Sequence, residues 1–377
     1  MNTPQRDLTF FIVAGETSGD NHGAKLMRAI KKNHEESRFI GHGGDKMLKA
    51  GLEQMYHVDQ LAVMGFSEVI KHLPLMFNVM GESLGRLREL RPDRIILIDY
   101  PGFNLRLAKN CAGLSLPVTY FILPQLWAWK EKRIKSFHKY IDQSLSIFPF
   151  EQDWFENRGV VASYVGHPFT EIVGPETSKE DFRTKHKIQP TESFLLLLPG
   201  SRQQEIDRHL LVYLAAAKQL QESDNKLKIL IGKAPGVTLP HLGENILFET
   251  KDIRAAIAYS RAAITTSGTA SLECAVLDTP EVVCYKLSAL SGILAKALNK
   301  APFISMVNLI GKRKIVPEFV QNEVTAERII ANIKPLLSNT KERRTMLDGY
   351  SEVRRSLGLP GVYNRAAEAI LKRTINA

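Results

Sequence analysis

Asp99 ends the apolar run "RIILID" (94–99) and precedes "YPGFN" (100–104). A carboxylate that follows a strand buried on both faces stands at the C-terminal edge of a parallel sheet, where open α/β sheets bind their ligands. Two roles are open to it there: a general base tuned by partial burial, or the cap of the helix that follows. Two other stretches combine glycine, hydroxyl and charge between a strand and a helix. In "LLLLPGSRQQEI" (195–206) these are Gly200, Ser201 and Arg202; in "ITTSGTASLE" (264–273) they are Ser267, Gly268 and Thr269, with Glu273 one turn further on. Backbone N–H groups at a helix start, a hydroxyl and a guanidinium fork suit a diphosphate, and Glu273 suits a ribose diol. Either loop alone is equally well a helix cap. The pair points to a nucleotide diphosphate held without a metal.

The stretch "VAGETSGDNHG" (13–23) also joins a strand to a helix. Its glycines, Gly15, Gly19 and Gly23, are four apart, whereas a dinucleotide fingerprint needs G-x-G-x-x-G and an acidic residue about 20 positions on. Two readings remain: a tight turn capped by Ser18 or Asp20, or a substrate loop lined by Glu16, Ser18 and Asp20. "GESLG" (81–85) has the spacing of a hydrolase elbow, but it lies in a helical stretch and not between strand and helix. "HEESR" (34–38) lacks the second histidine of a zinc protease, and no Asp-x-Asp pair is present to hold a metal-nucleotide. No metal is expected.

The elements that position these residues alternate along the chain. Apolar runs at 8–14, 38–42, 94–99, 118–122, 144–150, 193–199, 226–232, 262–266 and 281–285 read as strands, with helical patterns between them. Runs apolar throughout belong to parallel sheets covered by helices on both faces. This is an α/β pattern written twice, and 377 residues exceed one ordinary core. The stretch "VGHPFTEIVGPETSKEDF" (165–182) marks the connection. It places one domain at 1–170 and a second at 171–359. A helical tract over 326–357 follows, and a last helix within 360–377 is expected to cross back onto the first domain.

The segment 61–80, "LAVMGFSEVIKHLPLMFNVM", holds more apolar side chains than one buried stripe needs. It is either a pair of core helices or an apolar patch, including Val69, Ile70, Leu73, Met76, Phe77 and Met80, that meets acyl chains or a bilayer. A net charge of +10 favours anionic partners such as phosphorylated substrates or anionic lipid. The basic residues are dispersed and no nucleic-acid module is present, so nucleic acid is not an expected partner. Three cysteines without paired spacing fit a reducing compartment. The N-terminus lacks a signal-peptide pattern, and no run reaches the roughly 18 apolar residues of a membrane span.

Taken in order, "AGETSGD", "VMGFSEV", "IDYPGFN", "QLWAWKEKRIK", "FPFE", "VGHP", "LPGSRQQEI", "SGTASLE" and "NLIGKRKIVPEFVQ" resemble the lipid-A-disaccharide synthase family over about residues 8–325. The resemblance implies the GT-B architecture, two Rossmann-like domains facing across a cleft. It implies an inverting transfer from UDP-2,3-diacylglucosamine to 2,3-diacylglucosamine 1-phosphate (lipid X), with no cofactor and no metal. A homodimer at the cytoplasmic face of the inner membrane is implied as well. By the same resemblance Asp99 is the base, and Arg202, Ser267, Gly268, Thr269 and Glu273 hold UDP. Asn308 and Gln321 face the cleft, and Ser18 and Asp20 line the acceptor side. His22 stands where an apolar residue is expected. The nearest alternative is another GT-B enzyme of UDP-N-acetylglucosamine, a lipid-linked transferase or an epimerase.

Overall fold

The computed structural model describes residues 6–61, 66–128, 130–172, 174–243, 245–287 and 302–376, with the backbone alone for 66–73. The chain forms two units: Met1–Pro168 together with Leu359–Ala377, and Phe169–Gly358.

The first unit is built on seven parallel strands: β1 (Leu8–Ala14), β2 (Ser37–Gly43), β3 (Leu52–His57), β4 (Arg94–Ile98), β5 (Val118–Phe121), β6 (Gln143–Ser146) and β7 (Ala162–Tyr164). Their order is β3-β2-β1-β4-β5-β6-β7. Phe11, Val13, Ile95 and Leu97 pack on one face against Phe103, Leu107, Phe137 and Phe155 from the covering helices. Burial on both faces explains why β1 and β4 read as unbroken apolar runs. The last helix, Val362–Ile375, packs against the first, Thr17–Asn33, and buries Val362, Ala366, Ala367 and Ile370 completely.

The second unit holds six parallel strands: β8 (Ser193–Leu198), β9 (Leu227–Gly232), β10 (Ile246–Glu249), β11 (Ala262–Thr266), β12 (Glu281–Tyr285) and β13 (Glu318–Val320), in the order β10-β9-β8-β11-β12-β13. Its core gathers Phe194, Leu196, Leu230 and Ala263 with Phe182, Ile257 and Cys274.

Two expectations change. The strand read over 144–150 ends at Ser146, because Pro149 opens the helix Pro149–Glu156 at a first-turn position where its missing N–H costs nothing. The helical tract 326–357 divides into Ala326–Ile333, the 3₁₀ turn Lys334–Leu337 and Lys341–Ser356. Pro335 lies in the break, and the Thr340 side chain accepts from Arg343 N–H to start the next helix afresh.

Candidate active site

Each sheet reverses its direction of growth at one point, between β1 and β4 in the first unit and between β8 and β11 in the second. Connections leave the two central strands on opposite sides there, which opens a crevice at their carboxyl ends. Gly15 and Glu16 follow β1 and Asp99 follows β4. Gly200, Ser201 and Arg202 follow β8, and Ser267, Gly268 and Thr269 follow β11. Within each unit these loop residues therefore share one switch point.

Asp99 and Tyr100 both adopt left-handed backbone conformations, with φ of 44° and 48°. Such pairs are costly for residues with side chains and persist only when the surroundings fix them. Here Asp99 N–H donates to Phe121 O at 3.1 Å. The Asp99 carbonyl accepts from Asn104 Nδ2 at 2.7 Å and from the Tyr120 hydroxyl at 2.5 Å. The following helix, Pro101–Asn110, has Tyr100 as its N-cap and no side-chain cap bond, so the Asp99 carboxylate is not spent on capping it. Burial, reinforced by the nearby Glu16 carboxylate and opposed by a Tyr100 N–H bond, pushes Asp99 up to about 6. A carboxylate so tuned accepts protons well near neutral pH.

In the opening stretch neither Ser18 nor Asp20 is the N-cap of its own helix. The N-cap of the helix Thr17–Asn33 is Glu16, without a side-chain cap bond. Asp20 instead reaches across to the next helix: its carboxylate accepts from Gly44 N–H (2.8 Å), Met47 N–H (2.9 Å) and Lys46 N–H (3.1 Å). At 4% exposed and with three backbone bonds, Asp20 caps Asp45–Lys49 and does not line a substrate surface. Ser18 is exposed in the first turn. A Cβ on Gly15 would overlap the Tyr100 ring, and one on Gly23 would come within 2.5 Å of Met47 Sδ. The glycines are close-approach positions. His22 docks the last helix: the Tyr363 hydroxyl lies 2.9 Å from its Nδ1, and burial, with Lys25 and Lys46 nearby, pushes His22 down to about 4.

In the second unit the two helix starts part ways. Glu205, one turn into the helix Gln203–Ser223, folds back so that Ser201 N–H (2.8 Å) and Arg202 N–H (3.3 Å) donate to its carboxylate. Those amides are no longer available to an anion. The Arg202 side chain remains 60% exposed, 3.7 Å from Glu205. The helix Thr269–Val276 has no side-chain cap; Gly268 and Thr269 are exposed, and a Cβ on Gly268 would meet nothing within 4 Å. This start is the one open to an anion. The Ser267 hydroxyl donates to Ile304 O at 2.7 Å. Glu273, raised by burial, takes a 3.4 Å contact from Arg254 Nε.

Asn308 lies inside the second unit. It is fully buried; its amide donates to Val316 O and Glu318, and its oxygen accepts from Ile315 N–H and Val316 N–H. Every polar atom is committed to holding the 312–318 loop. Gln321, left-handed at φ 55°, accepts from Leu287 N–H at 3.1 Å, next to the end of β13.

Of the expected acyl-contact residues, the side chains of Val69, Ile70 and Leu73 lie outside the described residues. Met76 and Met80 turn inward, half-buried against the first unit's core. Phe77, on the same helix Phe66–Leu90, is 71% exposed.

Two buried acids carry signals that the sequence reading did not use. Glu281 accepts from the Thr265 hydroxyl (2.6 Å) and the Ser271 hydroxyl (2.7 Å), and burial pushes it up to about 8. It braces the β11 loop from below, and within "EVVCY" nothing marks it out from a strand residue. Glu151 is likewise wholly buried and pushed up to about 8. It belongs to "FPFE", a stretch visible in the sequence but without an assigned role.

A family model described as "Lipid-A-disaccharide synthetase" matches residues 10–372. A lipid-A-disaccharide synthase of Acidobacterium capsulatum is 37% identical over 368 residues, covering 93% of this chain and 92% of that protein. One from Myxococcus xanthus is 35% identical over 379 residues, covering 99% and 98%. Among solved structures, a putative UDP-N-acetylglucosamine 2-epimerase from Listeria monocytogenes superposes with a TM-score of 0.63 at 13% identity, covering 97% and 95% of the two chains. A calicheamicin glycosyltransferase gives 0.60 at 14% identity, covering 99% of each. These structures share the fold, two parallel-sheet α/β units of GT-B type.

Proposed function

The chain belongs to the lipid-A-disaccharide synthetase family, and from that membership we infer how its residues carry out the transfer. It is a glycosyltransferase that makes the lipid A disaccharide. We propose UDP-2,3-diacylglucosamine as donor and 2,3-diacylglucosamine 1-phosphate as acceptor. Asp99 takes the proton from the acceptor 6-hydroxyl, the freed oxygen bonds to the donor anomeric carbon, and the bond from that carbon to UDP breaks with inversion. The charge that builds on the leaving diphosphate meets the open helix start at Gly268–Thr269 and the Arg202 guanidinium. Glu273 takes the ribose. No metal or cofactor enters this reading.

The observation that supports the mechanism best is Asp99: a strand-end carboxylate at the switch point, held by a strained turn and raised to about 6. Incubation of the protein with both lipids in detergent, followed by mass spectrometry, should give a disaccharide monophosphate and UDP. Conversion of UDP-N-acetylglucosamine to a 2-epimer, with no disaccharide, would favour the epimerase alternative.

Arg202→Ala is expected to weaken UDP binding by about 10–100-fold, the range of a lost charge-assisted contact. Undiminished binding in calorimetry would remove Arg202 from the donor site. We also propose that the protein acts as a homodimer on the anionic cytoplasmic face of the inner membrane, with Phe77 entering the lipid. Phe77→Ser should lower the partition constant onto anionic vesicles, read by sedimentation, by roughly 30-fold, since burying a phenyl group contributes about 2 kcal/mol, and leave the melting temperature unchanged. Unchanged sedimentation would exclude Phe77 as an anchor.

A further inference from the structure

Three stretches, "QLWAWK" (125–130), "FPFE" (148–151) and "VGHP" (165–168), have no part in the mechanism above. They follow β5, β6 and β7, three adjacent strands beginning next to β4, and so lie along the same carboxyl edge as Asp99. Their rings touch in sequence. Trp127 meets Phe150 edge to face at 5.1 Å, Phe150 stacks on Phe148 at 5.8 Å, and Phe148 leans on His167 at 5.0 Å. The Trp127 Nε1–H donates to Glu151 Oε1 at 3.2 Å, and the other Glu151 oxygen accepts from Phe148 N–H at 3.4 Å. Phe148 and His167 are buried, whereas Trp127 and Phe150 are partly exposed.

An indole whose N–H is tied to a buried acid and which packs at a right angle against a second ring has little freedom to rotate. It presents a fixed, flat, apolar surface beside water. Long aliphatic chains need no such flatness. A hexopyranose does, because one face of the ring displays C–H groups while its rim carries hydroxyls.

We propose that Trp127 is the platform on which the glucosamine ring of the acceptor stacks, presenting its 6-hydroxyl toward Asp99, and that Glu151 is a positioning residue that fixes the indole. This rests on the proposed transfer reaction. Glu151 is suited to the task because burial keeps its proton in place up to about pH 8. It can fix Trp127 without adding a second negative charge beside Asp99, whose own charge is among those raising it.

The test is steady-state kinetics in mixed micelles, varying each lipid separately, with thermal melting alongside. Trp127→Ala should raise the acceptor KM by about 10-fold or more, the loss of one good stacking contact, and leave the donor KM within about 2-fold. Trp127→Phe should recover most of the acceptor affinity. Glu151→Gln keeps a neutral acceptor for the indole N–H but not one for Phe148 N–H, so it should restore most of the acceptor affinity that Glu151→Ala loses and leave the pH profile unchanged; Glu151→Ala should reproduce the Trp127→Ala defect. An acceptor KM unchanged in Trp127→Ala, or donor and acceptor KM rising alike, overturns the assignment. If the wild type makes no disaccharide, the transfer reading itself fails. If it makes disaccharide and Trp127→Ala keeps its acceptor KM, only the platform fails.

Discussion

Asp99→Asn lowers turnover by about 10²–10⁴-fold, the range for loss of a general base, and at the same time raises the melting temperature. The activity loss follows from removing the only proton acceptor that the proposed mechanism uses. With the carboxyl at about 6, kcat/KM of the wild type should also fall as pH drops through about 6, because the base must be ionised in the free enzyme. The stability gain follows from the same shift. A carboxyl raised from 3.8 to about 6 on folding holds its proton more tightly in the folded chain. The fold bears no penalty from it below about pH 4 and the full penalty above about pH 6. At about 1.4 kcal/mol per unit, that penalty is on the order of 3 kcal/mol. Asn carries no charge and tolerates the left-handed backbone required here. The variant should therefore melt a few degrees above the wild type at about pH 8 and match it near about pH 4. A variant that keeps full turnover ends the assignment of Asp99 as base. One that is inactive but melts lower at pH 8 contradicts its buried-charge description.

Gly15→Ala should cost about 3 kcal/mol of stability, the upper end for an overpacked site, and about 10²-fold in turnover. The added methyl group would overlap the Tyr100 ring. That ring has nowhere to withdraw: its hydroxyl donates to Leu61 O at 2.8 Å, it stacks on Phe103, and its backbone is already left-handed. Relief must come from the 99–100 turn, which moves the Asp99 carboxylate. Gly81→Ala serves as a control. It lies within the helix Phe66–Leu90 with nothing within 4 Å of an added Cβ, so it should be neutral or stabilise by up to about 1 kcal/mol. Wild-type melting and turnover in Gly15→Ala would show that Tyr100 moves freely and that the turn is not held as described.

How far the sequence could be read depended on burial. The nine strands it marked are β1, β2, β4, β5, β6, β8, β9, β11 and β12, all interior to their sheets. The four it missed, β3, β7, β10 and β13, are the four edges. An edge strand has one open flank and partial exposure, so "LEQMYH" or "EFV" carries no continuous apolar run. The placement of candidate residues was legible where strand and helix ends are marked in the sequence, as at Asp99 after β4 and Gly268 before its helix. It was illegible where a side chain's partner is remote in sequence. Asp20 looks like the cap of its own helix and caps another 24 residues away. Glu205 looks like an ordinary helical acid and occupies amides that a diphosphate would need. Glycines four apart excluded a dinucleotide loop, yet only the structure shows Tyr100 and Met47 pressed against them.

The last helix gives the molecule an order in time. Residues 359–377 complete the unit that residues 1–168 begin. They supply Tyr363 to His22, the carbonyl of Ala369 to Gln143 Nε2, and the carbonyl of Arg373 and the Thr374 hydroxyl to the buried Arg94. They leave the ribosome after all of the second unit, since they follow it in the chain. The second unit, continuous from 169 to 358, can close while the chain is still tethered. The half that is made first must wait with its Arg94 donors and one face of its first helix uncovered until residues 359–377 emerge. The first unit is thus complete only once residues 359–377 have been added, and a chain interrupted before them carries a closed second unit and an unfinished first one.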